Sequence, residues 1–207
     1  MDIENEKKKE VAHFEKLIQG LMNDQYGCCD DFVNEESVSG LRNNIQSLSR
    51  LRDLQLAGMG KDLDFQKDSQ IRGDKIKWIE KESEDTYEKK FLKKIAHFIQ
   101  HLNKTCYTSI LDFESHYASY EKSSFYKRHV DQFRNDRGRK YSIIMYLNED
   151  WQKEDGGDLS LYPAKGAQIN ISPIGGRMVF FKSDEMEHEV HPSHTRDRIS
   201  IAGWLKN

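Results

Sequence analysis

Three cysteines in 207 residues cannot build a disulfide framework, and the adjacent Cys28 and Cys29 are poorly placed to pair with each other. That scarcity points to a reduced, cytoplasmic chain. Neither charge sign dominates: 32 Lys and Arg against 35 Asp and Glu leave a formal net charge of -3. A dedicated nucleic-acid binder would show a basic surplus, so that class is set aside. No run approaches the ~18 apolar residues that a membrane span requires. The first ten residues, MDIENEKKKE, are mostly charged and hold no apolar stretch, so no secretory leader is expected. Only three prolines occur, Pro163, Pro173 and Pro192, all late in the chain. What is present is 36% hydrophobic, 11% aromatic and 32% charged residues, each as a share of the whole chain. That balance suits one core under a very soluble surface, and it does not suit disorder.

The first hundred residues are rich in Lys, Glu, Gln and Leu, whereas Ile, Val, Tyr and Phe concentrate later. Helices first and strands second imply an α+β arrangement. Helical steps of three and four join Val11, Phe14, Leu17, Ile18 and Leu21. A second helix opens after the N-cap residue Asn34 and runs through Val38, Leu41, Ile45 and Leu48. A third places Tyr87, Phe91, Ile95, Phe98, Ile99 and Leu102 on one face, with His97 and His101 read as ordinary helix-surface residues. Between the second and third helices, residues 58–78 read as a lid-like loop with glycines at 58 and 60. From Cys106 onward short alternating runs at 139–147, 158–162, 167–171, 177–182 and 198–205 are broken by Gly156-Gly157, Pro163 and Pro173 with Gly175-Gly176. Strands so punctuated indicate a sandwich or barrel. The division expected is a helical support region, 1–104, and a β core, 105–207, forming one structural unit.

Two segments concentrate the groups able to do chemistry. In Phe125-Tyr126-Lys127-Arg128-His129-Val130-Asp131, His129 and Asp131 lie two apart and point the same way on an extended backbone. The second is Glu187-His188-Glu189-Val190-His191-Pro192-Ser193-His194. Two histidines and one carboxylate leave half an octahedron open, which suits non-haem Fe(II). Taken alone, His188, His191 and His194 equally fit a zinc cluster or a solvated loop. Arg198 then opens a strand as a fork-shaped cation suited to bidentate pairing with a carboxylate.

Taken together, Phe125 to Asp131, Ile144-Met145-Tyr146-Leu147-Asn148, Gly156-Gly157-Asp158-Leu159, His188-Glu189-Val190 and Arg198 to Trp204 resemble the Fe(II)- and 2-oxoglutarate-dependent oxygenases of the prolyl 4-hydroxylase group. The run Ile71 to Glu80 is similar to the subgroup of hypoxia-sensing prolyl hydroxylases and their bacterial relatives. The resemblance implies a double-stranded β-helix (jelly roll) with N-terminal supporting helices. It implies His129, Asp131 and His188 as iron ligands, Arg198 holding the far carboxylate of 2-oxoglutarate, and Tyr146 as a hydrogen-bonding partner to that carboxylate. Tyr120 is similar to the family tyrosine lining the co-substrate pocket, with Tyr117 as its rival, because Glu121, Lys122 and Ser123 follow where the family often has Pro and Gly. Arg196 is the second candidate beside Arg198.

The implied cofactor set is Fe(II), with 2-oxoglutarate and O₂ as co-substrates and ascorbate as reductant. The implied reaction hydroxylates a residue, proline foremost, in a polypeptide such as a transcription or translation factor. The rival reading is a non-catalytic metal-binding or protein-interaction jelly-roll module, in which Arg198 and a complete triad would serve no purpose. Zinc-dependent hydrolysis with the same three ligands also leaves Arg198 without a role.

Overall fold

A computed structural model of the chain describes residues 3–58, 71–132 and 138–207. Its elements in chain order are α1 (Ile3–Asp24), β1 (Tyr26–Cys29), α2 (Glu35–Arg50), β2 (Gln55–Leu56), β3 (Asp74–Trp78), α3 (Thr86–Thr105), β4 (Asp112–Tyr120), β5 (Tyr126–His129), β6 (Arg139–Tyr146), β7 (Leu159–Tyr162), β8 (Ile169–Ile171), β9 (Met178–Lys182), β10 (Glu187–Val190) and β11 (Arg198–Lys206). A 3₁₀ turn, Lys153–Asp155, precedes β7. No described helix is long and apolar enough to cross a membrane.

The strands form two antiparallel sheets: a major one ordered β1-β9-β6-β11-β4-β3-β2 and a minor one ordered β5-β10-β7-β8. This is the double-stranded β-helix expected of the chain. The alternation along the major strands feeds two cores. On β6, Ile143 and Met145, with Leu147 just beyond the strand, join the helices' apolar faces, and Ile144 and Tyr146 face the minor sheet. Strand β9 divides likewise, with Met178 and Phe180 towards the helices and Val179 and Phe181 between the sheets. Strands that are buried on both faces read as continuous apolar runs, which is why these two are conspicuous in the sequence.

The helices behind the major sheet form where the apolar spacing places them. Phe14, Leu17 and Ile18 of α1 pack with Phe91, Ile95, Phe98 and Leu102 of α3. Asn34 caps α2, accepting from Ser37 N at 3.0 Å, and Asp85 caps α3, accepting from both Tyr87 N and Glu88 N at 2.9 Å. His97 and His101 are not simple surface residues: they face Glu10 and Glu15 across the α1–α3 contact at 3.2 and 2.5 Å.

Two features depart from the order of helices then strands. Strand β1 lies along β9 at one edge of the major sheet, and β3 lies along β4 towards the other edge. Within the expected loop 58–78, residues 59–70 lie outside the described residues, while Asp74–Trp78 is a strand paired throughout with β4. Asp74, Ile76 and Trp78 share one face there, and the intervening Lys75 and Lys77 hid the alternation by making the run look like polar linker.

Replacing Asp85 by Ala removes both acceptor contacts at the start of α3. Urea unfolding should show stability lower by about 1 kcal/mol with an unchanged m-value.

Candidate active site

The two sheets close around a pocket at the mouth of which β5 and β10 meet. His188 pairs directly with His129 across these strands, and their rings lie 4.2 Å apart. Chain direction changes just after β5, so Asp131 follows the strand rather than continuing it, yet its carboxylate reaches the same point. His129 Nε2 lies 3.6 Å from Asp131 Oδ1, and His188 Nε2 lies 3.6 Å from Asp131 Oδ2. One donor atom from each of the three residues falls within 4.8 Å of the others. Among the described residues this is the group of its kind able to hold a metal ion.

The remaining contacts of these side chains turn their lone pairs inward. His129 Nδ1 is 2.7 Å from the Lys127 carbonyl and His188 Nδ1 is 3.1 Å from the Met186 carbonyl. A carbonyl only accepts, so each Nδ1 carries the proton and each Nε2 presents its lone pair. Ser142 donates to Asp131 Oδ2 at 2.7 Å. Burial alone would raise the Asp131 pKa, but in the acid range, where the facing His188 ring is charged, that ring together with His129 and the Ser142 hydroxyl holds it well below the usual carboxylate range. Burial lowers His188 to about 4, so its ring is neutral near pH 7. Two imidazole nitrogens and a carboxylate are a donor set that fits Fe(II) with open positions left over.

Deeper in the pocket, Arg198 is fully enclosed between two rings, its guanidinium carbon 5.1 Å from the Tyr120 centroid and 4.9 Å from that of Tyr146. Its Nε donates to the Gly157 carbonyl at 3.0 Å. Its Nη2 and the Tyr146 hydroxyl are buried with no hydrogen-bond partner. Burial pushes the Tyr146 phenol up to about 12 and that of Tyr120 well above its ordinary value, so both keep their protons. A buried cation edge beside a buried hydroxyl, each unsatisfied, fits a carboxylate ligand.

The alternatives fall elsewhere. Tyr117 projects from the opposite face of β4, where its hydroxyl donates to Glu88 at 3.0 Å. Arg196 turns outward to Asp155 at 2.9 Å and lies over the Trp151 ring. His191 contacts the Ser160 hydroxyl at 2.6 Å, away from the triad.

Other pocket residues escaped the sequence reading. His116, Arg72 and Trp204 line it alongside the triad and Arg198. Tyr126, which could have been simple core, stacks on His129 with centroids 3.6 Å apart and has the Arg72 guanidinium carbon 4.7 Å from its ring centroid. Arg72 itself is held by Asp74 through two bonds of 2.6 and 2.9 Å. His116 sits between Trp78 and Trp204, with ring centroids at 5.0 and 5.3 Å. Stepping back by two from Tyr120 along β4 gives Ala118 and then His116, so the alternation could have found it once the strand was recognised.

The 2OG-Fe(II) oxygenase superfamily profile matches residues 115–206, which carry the metal donors, Arg198, Tyr146, Tyr120, His116 and Trp204, whereas Arg72, Asp74 and Trp78 precede it. The crystal structure of a Pseudomonas putida prolyl-4-hydroxylase superposes with a TM-score of 0.85 at 30% identity, covering 94% of this chain and 98% of that one. The chain therefore belongs to the 2OG-Fe(II) oxygenase superfamily, whose members use Fe(II), 2-oxoglutarate and O₂. Among its relatives is Egl nine homolog 1 of Homo sapiens, 32% identical over 192 residues, across 87% of this chain and 44% of that protein. The Rattus norvegicus counterpart is 32% identical over 192 residues and matched over 55% of its length, so the chain spans about half the length of these relatives. A Trichoplax adhaerens prolyl hydroxylase in complex with a hypoxia inducible factor peptide fragment has the same fold, with a TM-score of 0.87 at 24% identity.

Burial and then the nearby Arg72 lower the His116 pKa from 6.5 to about 4. Between those values the unfolded chain takes up a proton that the folded chain refuses, so stability falls as pH drops from 6.5 towards 4. In His116→Leu, stability followed by denaturant titration should lose less over that range than in the wild type. An identical pH slope would mean that the folded ring is charged.

Proposed function

We propose that this chain is a peptidyl-proline hydroxylase in which His129, Asp131 and His188 hold Fe(II) and Arg198 holds 2-oxoglutarate. The observation that carries this reading is one pocket that combines three converging metal donors with the unsatisfied Arg198 Nη2, against which Tyr146 packs with its own hydroxyl unsatisfied. When bound, the iron with 2-oxoglutarate and O₂ supplies the oxidising power for C–H hydroxylation, the co-substrate ending as succinate and CO₂.

The chain's own residues bind, orient and shield. Arg198 forms a charge-assisted pair with the far carboxylate, and the protonated Tyr146 hydroxyl donates to the same group. Tyr120 walls the other side of the guanidinium and keeps water from it. The Nδ1 bonds of His129 and His188 to backbone carbonyls fix both rings, and Ser142 fixes the Asp131 carboxylate, so the donor set is held ready without reorganisation. Beside the pocket-lining Trp204, Trp78 is 45% exposed, the two rings 6.3 Å apart, and the Arg139 guanidinium lies 3.5 Å from the Trp204 ring centroid. The exposed apolar face of Trp78 suits the apolar pyrrolidine ring of a proline in an extended peptide.

A polypeptide substrate is supported by the names of the similar proteins: the Pseudomonas putida enzyme is a prolyl-4-hydroxylase, and the Trichoplax adhaerens enzyme was captured with a peptide. We read the substrate as an intracellular protein, with a transcription or translation factor as the first class to search. A cytoplasmic setting accords with three unpaired cysteines, and ascorbate is the reductant to supply in assays. Residues 1–104 serve as the brace for the catalytic core of residues 105–207, and also lend it β1 and β3 of the major sheet and Arg72 of the pocket.

His129→Ala and His188→Ala should each abolish Fe(II)-dependent succinate formation while leaving the far-UV spectrum unchanged, since neither is needed for the helix-backed core. Wild-type succinate yields from either variant would refute the ligand assignment. Arg198→Ala should weaken 2-oxoglutarate binding by about 2–3 kcal/mol, leaving metal affinity nearly unchanged. Aerobic incubation with Fe(II), 2-oxoglutarate and a lysate lacking this protein should add one oxygen atom to prolines of a small set of proteins, read by peptide mass spectrometry. Oxygen gained only at other residue types would overturn the choice of proline.

A further inference from the structure

A buried guanidinium with one free edge must be aimed, and the atoms that aim Arg198 lie in a corner distant in sequence. Its Nε donates to the carbonyl of Gly157 at 3.0 Å. Because the five N–H groups of guanidinium lie in one plane, fixing Nε fixes the direction of the unpartnered Nη2. Gly156 and Gly157 both adopt left-handed backbone, with φ of 69° and 70°, and this is what turns the Gly157 carbonyl towards the arginine.

The corner is clamped on every side. Trp151 Nε1 donates to the Gly156 carbonyl at 3.0 Å, and Gly157 N donates to the Pro192 carbonyl at 3.0 Å. Asp155, just before the glycines, accepts from Gln152 N at 2.8 Å, from Arg196 at 2.9 Å and from the Thr195 hydroxyl. Arg196 in turn covers the Trp151 ring at 4.9 Å. The corner is thereby tied to the segment that leads straight into Arg198. A methyl group on Gly157 would lie 3.2 Å from Trp151 Cζ2 and 3.4 Å from Arg198 Cδ, on a backbone that side chains disfavour.

We propose that the Gly156–Gly157 corner, clamped by Trp151, is the positioning element for Arg198 and makes this chain selective for 2-oxo acids that carry a second carboxylate at the far end. The proposal rests on the assignment of Arg198 to 2-oxoglutarate made above. Arg198 loses its rotamer freedom when the chain folds, so co-substrate binding does not have to supply that ordering. Gly157 and Trp151 act through Arg198 and need not touch the co-substrate.

The test compares two ligands on the full-length, Mn(II)-loaded protein by calorimetry: 2-oxoglutarate, and 2-oxobutyrate, which has the same 2-oxo acid end and lacks the far carboxylate. Gly157→Ala should weaken 2-oxoglutarate about tenfold while 2-oxobutyrate changes less than about twofold. Trp151→Phe, which keeps a ring and removes only the Nε1 donor, should shift 2-oxoglutarate the same way by about threefold, and it keeps the test alive if Gly157→Ala fails to fold. In an Arg198→Ala background neither change should weaken 2-oxoglutarate further. Equal losses for both ligands, or no loss for 2-oxoglutarate in a folded variant, would overturn the positioning role while leaving the Arg198 assignment intact. A wild-type protein that prefers 2-oxobutyrate to 2-oxoglutarate would instead remove the assignment of Arg198 and the proposal with it.

Discussion

Everything at this site depends on one cross-strand pairing, His129 of β5 opposite His188 of β10. Side chains alternate along a strand, so a slip of one residue in β10 would bring Glu187 or Glu189 to the position and turn His188 away. The register is held on both sides of the strand. Val190 and the neighbouring Leu159 and Leu161 of β7 anchor it in the core between the sheets. On the outward side Glu187 pairs with Arg128, and Glu189 accepts from the Tyr162 hydroxyl at 2.8 Å. The apolar core and two surface contacts thus fix where the metal donors meet, and Asp131 only has to follow β5 out of its strand to complete the set.

The same pocket and the residues packed directly against it concentrate groups that folding alone would avoid. Seven buried side-chain atoms among the described residues lack partners, and four of them belong to His116, Tyr146, Arg198 and Trp204. Each such group costs on the order of 1–3 kcal/mol if left unsatisfied. Apolar replacements of similar size would relieve that cost, so their gathering in one place marks a site prepared for ligands. The rigid parts behind it, α1 and α3 against the major sheet, supply the stability that lets the pocket stay unsatisfied.

Much of this was legible in the sequence because its signals are local. The three helices announce themselves by apolar spacing and by the Asn34 cap, and the doubly buried strands β6 and β9 by unbroken apolar runs. The ligands and Arg198 stand in short motifs at fixed spacing, and family resemblance ordered them. Strand β3 was illegible because alternate lysines masked its period, and β1 because Tyr26-Gly27-Cys28-Cys29 is too short and too mixed to show one. His116 could not be placed without knowing that β4 puts it on the same face as Tyr120. Tyr120 and Tyr117 were inseparable on paper, since the three-residue offset places them on opposite faces only once the run is known to be a strand.

The central claim is that one pocket binds iron and 2-oxoglutarate together through these residues. Anaerobic titration of the Fe(II)-loaded chain with 2-oxoglutarate, followed in the visible range, tests it directly. A weak charge-transfer band that grows with 2-oxoglutarate and saturates at one equivalent is the predicted result. Tight iron binding with no band at any 2-oxoglutarate concentration would contradict the account.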